Sequence, residues 1–75
     1  MEFNWQTVTG DMFWPDVGDE IVYEQNVGSY TTIRIGTVKQ GSDGLLVQAK
    51  YKQKDACDNM PIMLGFRWAP WKKAQ

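Results

Sequence analysis

The stretch from Tyr30 to Lys54 leaves few folds open to this chain. It runs Tyr30-Thr-Thr-Ile-Arg-Ile-Gly-Thr-Val-Lys-Gln40, then Gly41-Ser-Asp-Gly44, then Leu45-Leu-Val-Gln-Ala-Lys-Tyr-Lys-Gln-Lys54. Two arms rich in β-branched and apolar residues around a Gly-bounded turn spell a β-hairpin with a short loop. In the first arm Ile33, Ile35 and Thr37 share one face and Arg34, Gly36 and Val38 the other. The apolar side passes from Ile35 to Val38, which predicts a bulge at Gly36, where glycine tolerates the extra residue and the added twist. In the second arm Leu45, Val47, Ala49 and Tyr51 form the expected core face, opposite Leu46, Gln48, Lys50 and Lys52.

The remaining segments fit the same class. Residues 2–9 alternate, with Phe3, Trp5 and Thr7 on one side, and predict a first strand with an aromatic face. Gly10-Asp11 breaks it, and Met12-Phe13-Trp14-Pro15-Asp16 reads as an aromatic connection because Pro15 biases Trp14 away from helix. Val17-Gly18-Asp19-Glu20 turns into a strand that sets Ile21 and Tyr23 on one face, and residues 25–29 are read as a loop. After a polar loop from Lys52 to Asn59, Met60 to Trp68 reads as one last strand with Ile62, Leu64, Phe66 and Trp68 in phase, ended by Ala69-Pro70. Residues 71–75 are expected to form a single helical turn. No apolar pattern of period 3.6 persists, so the chain is expected to be all-β, a small single-domain SH3-like barrel or strongly bent five-stranded antiparallel sheet spanning residues 1–75.

Size sharpens the demand on the core. A domain of 75 residues buries about 60% of the surface its unfolded chain exposes. Four Trp, three Tyr and three Phe supply large buried areas from few positions. The single Cys57 makes no intrachain bridge, so disulfide-built secreted scaffolds are set aside and a cytoplasmic, reducing setting is expected. The first residues lack a basic and then apolar leader pattern, and no apolar run approaches a membrane span, so no membrane partner is expected.

Charge is divided along the chain although the net value is only −1. Glu2, Asp11, Asp16, Asp19, Glu20 and Glu24 precede residue 34 with no Lys or Arg among them. All eight basic residues follow, against Asp43, Asp55 and Asp58. Such polarity marks acidic and basic surfaces, or two halves that neutralise one another on folding.

Val17-Gly-Asp-Glu-Ile-Val-Tyr23 followed by Ile35-Gly-Thr-Val38 resembles the opening of SH3-like barrels of the KOW or Tudor sort, over roughly residues 16–54. In those barrels a Gly-Asp turn feeds the first strand and a Gly precedes an apolar residue of the second. The resemblance implies a fold, and such folds carry many unrelated functions. Phe13-Trp-Pro15 with Gly18-Asp19 is also similar to the opening of the plasmid-borne type of dihydrofolate reductase. The tetrapeptide that lines that family's pore is missing from the late strand, and that assignment is declined.

Catalytic readings fall away one by one. The chain has no His, the commonest general base and metal ligand. Asp16 and Asp19 follow Pro15 and Gly18 as turn residues do, with Glu20 next in line. Asp55-Ala-Cys-Asp58-Asn59 offers fewer oxygens than a calcium loop needs, and Cys57 lies between acids that disfavour a thiolate. Gly41-Ser-Asp-Gly44 has the spelling of the KH-domain clamp but joins strands instead of helices. The expectation is a protein without enzymatic activity, cofactor or metal.

Surface residues therefore carry the functional expectation. On a strand Lys50, Lys52 and Lys54 would form a row spaced about 6.6 Å apart with Tyr51 turned inward. That row either guards a sheet edge or, extended by Arg34, Arg67, Trp68, Trp71, Lys72 and Lys73, tracks a single-stranded nucleic acid. The pI near 5.1 weighs against the second use. Trp5 and Trp68 are expected in the core, while Trp14 and Trp71 lie outside regular strands and either anchor a partner at the surface or, if buried, close the ends of the barrel, a reading that suits Trp14 slightly better. The leading expectation is an interaction module, a small accessory or inhibitory protein, that contacts a partner protein through Trp14, Tyr30, Arg34, Lys50, Lys52, Lys54, Arg67, Trp71 and Lys72. The alternative is a small β-barrel that binds single-stranded RNA or DNA.

Overall fold

The computed structural model describes residues 2–71. Among them there is no helix, and six strands form one open antiparallel sheet: β1 (Gln6–Thr7), β2 (Glu20–Val27), β3 (Tyr30–Gly41), β4 (Gly44–Ala49), β5 (Asn59–Pro61) and β6 (Arg67–Pro70). Their order across the sheet is β1-β6-β2-β3-β4-β5. The expected all-β class holds, in its strongly bent, open form with one strand more than expected. Among the described residues no helix is long and apolar enough to cross a membrane. Residues 72–75, where most of the expected helical turn falls, and Lys72 and Lys73 with them, lie outside the described residues.

Glycine-bounded turns set the hairpins. Val27 pairs with Tyr30 across Gly28-Ser29, where Gly28 takes a φ of 59°. The predicted loop at residues 25–29 is thus two residues of turn, with β2 running through Val27. Gly41 pairs with Gly44, which leaves Ser42-Asp43 as the turn expected from the sequence.

Strand alternation then decides what is buried. In β2, Ile21, Tyr23 and Gln25 face the interior, opposite Gly36 and Arg34 of β3. Val38 meets Val47 of β4 on the same side, and Trp68 of β6 lies beside Tyr23. With Val8, Ile62 and Phe66 they make one core, fed from both ends of the strand order, so the sheet curls around it. Ile62 and Phe66 belong to the connection that runs from the edge strand β5 to β6, the neighbour of the other edge strand β1.

Four expectations are corrected here. The pairing runs without a gap through Gly36 on both sides, so there is no bulge. Glycine is needed because β4 comes so close that a Cβ would stand 2.5 Å from Gln48 O and 2.8 Å from Val47 Cγ2. The interior face of β3 is Arg34, Gly36 and Val38, and Ile33 points to solvent. The expected last strand is two strands separated by a turn in which Phe66 N–H donates to Met63 O at 3.0 Å, with Gly65 at φ 90° and Leu64 exposed. Trp5 is only half-buried, on the outer face, because Gln6 opposite Trp68 puts its neighbour on the other side.

That outer face carries a smaller apolar layer of its own. Val22 and Ala69 pair across β2 and β6 and are buried outside the main core. Phe3 meets Trp5 edge-on at 6.1 Å and Trp71 at 6.0 Å, and the Arg67 guanidinium sits 5.0 Å from the Trp5 ring.

Candidate interaction surfaces

The first surface is a corner built by residues 9–15. Thr9 and Met12 exchange backbone hydrogen bonds (3.2 and 2.8 Å) around Gly10-Asp11, with Gly10 at φ 53°. Phe13 then takes φ 67°, which bulky side chains rarely adopt, and turns the chain away from β1. The fold holds that conformation in place. Trp68 Nε1–H donates from the core to Phe13 O at 2.8 Å, Trp14 Nε1–H donates to Gly10 O at 2.8 Å, and Pro15 is buried. As a result Met12, Phe13 and Trp14 stand consecutively exposed, at 58%, 49% and 37%. Beside them a groove of about 460 Å³ is lined by Asn4, Trp5, Gln6, Thr7, Thr9 and Phe13.

The second surface is the connection after β4. Lys50 N–H still bonds Ile35 O, but the strand ends at Ala49, so Lys50, Lys52 and Lys54 form no strand row. Nor do they guard an edge, since β4 is flanked by β3 and β5. All three are exposed, and Tyr51, expected inward, is 66% exposed between two of them. What fixes this loop is Arg34. Its guanidinium, on a residue only 5% exposed, donates to Cys57 O (2.6 Å), Tyr51 O (2.7 Å) and Gln25 Oε1 (2.9 Å) and lies 3.6 Å from Asp58 Oδ1. Arg34 is therefore a buried tie, which corrects its expected place on a partner surface. Burial pushes the neighbouring Tyr23 hydroxyl above its usual pKa of 10.0; the Arg34 charge opposes that rise and Asp58 adds to it.

A third, less charged patch is the Met63-Leu64 tip. It borders a cleft of about 370 Å³ shared with Glu24, Asn26, Met60, Pro61 and Arg67. The other residues singled out from sequence are scattered. Tyr30 is exposed at the tip of the β2–β3 hairpin. Arg67 is paired to Glu24 at 3.0 Å besides its position over Trp5, and Trp71 is half-buried against Phe3, its N–H bonded to Glu20 O. Sequence reasoning passed over Phe13, Tyr51, Leu64 and Ile33. The run Met12-Phe13-Trp14 before Pro15 carried the one usable signal, three large apolar residues in a connection too short to bury them.

Set against known protein families, curated proteins and solved structures, the chain matches none.

Proposed function

We propose that this protein is a non-enzymatic protein-interaction module, a small accessory or inhibitory protein, that meets its partner with the corner formed by Met12, Phe13 and Trp14. The observation that carries this reading is that three successive large apolar side chains face solvent on a loop held by hydrogen bonds to Phe13 O and Gly10 O. A fixed aromatic surface loses little freedom on binding, and Trp is prominent among residues that dominate interfaces. The resemblance of Val17–Tyr23 and Ile35–Val38 to SH3-like barrels of the KOW or Tudor sort belongs to the same proposal, supported by one antiparallel sheet with no helix among the described residues. A reducing cytoplasm suits the exposed free Cys57.

The test is retention of a protein from lysate of the source cells by the immobilised chain. Trp14→Ala should abolish it and Tyr51→Ala should leave it intact. Equal retention by the Trp14 variant would refute the assignment.

The exposure of Tyr51 between Lys50 and Lys52 favours a second reading, stacking and phosphate contact with single-stranded nucleic acid. Binding of a labelled oligonucleotide that weakens steeply with salt and is lost in Tyr51→Ala would support it. Absence of binding at low salt would end it.

A further inference from the structure

The sheet has two edges, and the chain treats them differently. At one, β5 carries Pro61, which has no N–H to offer a further strand, as protected edges commonly do. At the other, β1 lies in the segment Phe3-Asn-Trp-Gln-Thr-Val-Thr9, which contains no Pro, no Gly and no charged residue.

The hydrogen bonds identify what β1 offers. Val8 N–H donates to Phe66 O at 2.9 Å and Val8 O accepts from Gly65 N–H at 2.8 Å, so Val8 faces β6. Antiparallel alternation then turns the N–H and C=O of Thr7 and Thr9 to the outside. Thr9 spends its outward pair on Met12. Continuing that register would set Thr7 against Trp14, but Phe13 at φ 67° and the buried Pro15 divert the chain first. The edge therefore begins to pair with its own chain and is left open one hydrogen-bonded step later, where the groove of about 460 Å³ runs between Trp5 and Phe13.

We propose that β1 receives a strand from a partner protein, an extended segment with basic residues at both ends and apolar side chains at alternate positions, laid along Asn4–Thr7 with its backbone on Thr7 and a side chain in the groove against Phe13. The proposal rests on the interaction reading above and specifies its geometry. The strand is short, so few backbone bonds are available and the aromatic groove supplies the remaining contact. Charge selects the occupant. Exposed Glu2 and Asp11 bracket the neutral stretch, and Arg67, the cation beside it over the Trp5 ring, is already paired to Glu24 at 3.0 Å. A second copy paired about Thr7 would set Trp5 opposite Thr9, whose outward N–H and C=O are already bonded to Met12, and would bring Glu2 of each copy toward the Gly10-Asp11 turn of the other, gathering acids from both chains at each end. A basic partner strand meets the same two acids favourably.

The test uses the full ¹⁵N-labelled chain and a synthetic peptide of alternating Val and Thr with lysines at both ends. The expected result is slowed exchange of the Thr7 amide, about tenfold or more at saturation, with shifts confined to Asn4–Thr9 and Phe13. The same peptide with glutamates in place of lysines, or with N-methylated backbone, should do neither. Thr7→Pro removes the outward N–H at an edge position and should abolish binding. Should that variant misfold, the exposed pair Glu2→Lys with Asp11→Lys should weaken the lysine-ended peptide at least about tenfold. Unchanged Thr7 exchange, indifference to N-methylation, equal binding of the glutamate-ended peptide, or shifts centred on Tyr51 or Leu64 would each overturn the proposal. Self-association of the free chain through Thr7 would overturn the choice of occupant. A protein captured from lysate equally by wild type and Thr7→Pro, yet lost in Trp14→Ala, would sink strand addition while the interaction reading stood.

Discussion

The corner at Phe13 and the connection at Tyr51 are built alike and charged oppositely. Each contains a non-glycine residue at positive φ, Phe13 at 67° and Asp55 at 70°. Each is tied down by a buried side chain reaching a main-chain carbonyl, the Trp68 indole to Phe13 O and the Arg34 guanidinium to Tyr51 O and Cys57 O. Each leaves an aromatic ring in solvent. They differ in the nature of the tie. An indole carries one neutral donor, and losing it leaves one carbonyl wanting. A guanidinium carries several charged donors, so one side chain makes the shortest ties of the lysine loop, beside the longer bonds of Gln25 Nε2–H to Cys57 O and Gln53 Nε2–H to Thr32 Oγ1, both 3.4 Å. The corner is rigid by turn geometry and packing, the loop by short bonds to one buried cation.

The largest effect should come from breaking the charged tie. Arg34→Met leaves Tyr51 O and Gln25 Oε1 without their donor and Cys57 O with only the 3.4 Å bond from Gln25 Nε2–H, and should cost about 3 kcal/mol or more in urea denaturation. Amide exchange over residues 51–58 should rise with it. Trp68→Phe should cost less, about 1–2 kcal/mol for one hydrogen bond and a reduced ring, with faster exchange at Met12–Trp14 and an unaltered lysine loop. A loop loosened equally by both variants would show that the two regions are not independently anchored.

Tyr23 sharpens the contrast by pH. Its hydroxyl is buried with no hydrogen-bond partner among the described residues, and desolvation raises its pKa in the fold. A raised folded pKa means that the folded state holds the proton more tightly than the unfolded chain does. The stability it contributes is complete below the ordinary value of 10.0 and is lost as pH rises through the folded value. Thermal melts from pH 8 to 11 should therefore fall more steeply in wild type than in Tyr23→Phe. At neutral pH Tyr23→Phe should be close to neutral or stabilising by up to about 1 kcal/mol, since no bond is broken. The smallest effects on stability belong to the exposed rings. Tyr51→Ala should stay within about 1 kcal/mol of wild type, and Trp14→Ala, which also removes the indole bond to Gly10 O, within about 2 kcal/mol, so that a folded Trp14 variant still reports on the corner.

The central hairpin was legible because its evidence is local. Gly41 and Gly44 bracket a turn whose two arms alternate, and no distant residue is needed to place it. The face of β3 was not legible for the same reason. Ile33 and Ile35 outweigh Arg34 in any local reading, and the carbonyls that make Arg34 tolerable inside come from Tyr51 and Cys57, remote in sequence. Once Arg34 turns inward and ties the backbone at Tyr51, the loop leaves the strand path, Tyr51 turns outward and the lysine row dissolves. The last strand failed at Gly65, whose positive φ marks a turn that the phase of Ile62, Leu64, Phe66 and Trp68 concealed. Trp14 beside Pro15 was readable as lying off the strands. The left-handed Phe13 beside it was not, since that conformation depends on Trp68 reaching across the fold.

Photo-crosslinking compares the two surfaces in one experiment. A benzophenone side chain placed at position 14 or at position 51 and irradiated in lysate of the source cells should give a discrete protein adduct from position 14 and none from position 51. An adduct from position 51 alone, above all one that nuclease removes, would contradict the assignment of function to the aromatic corner.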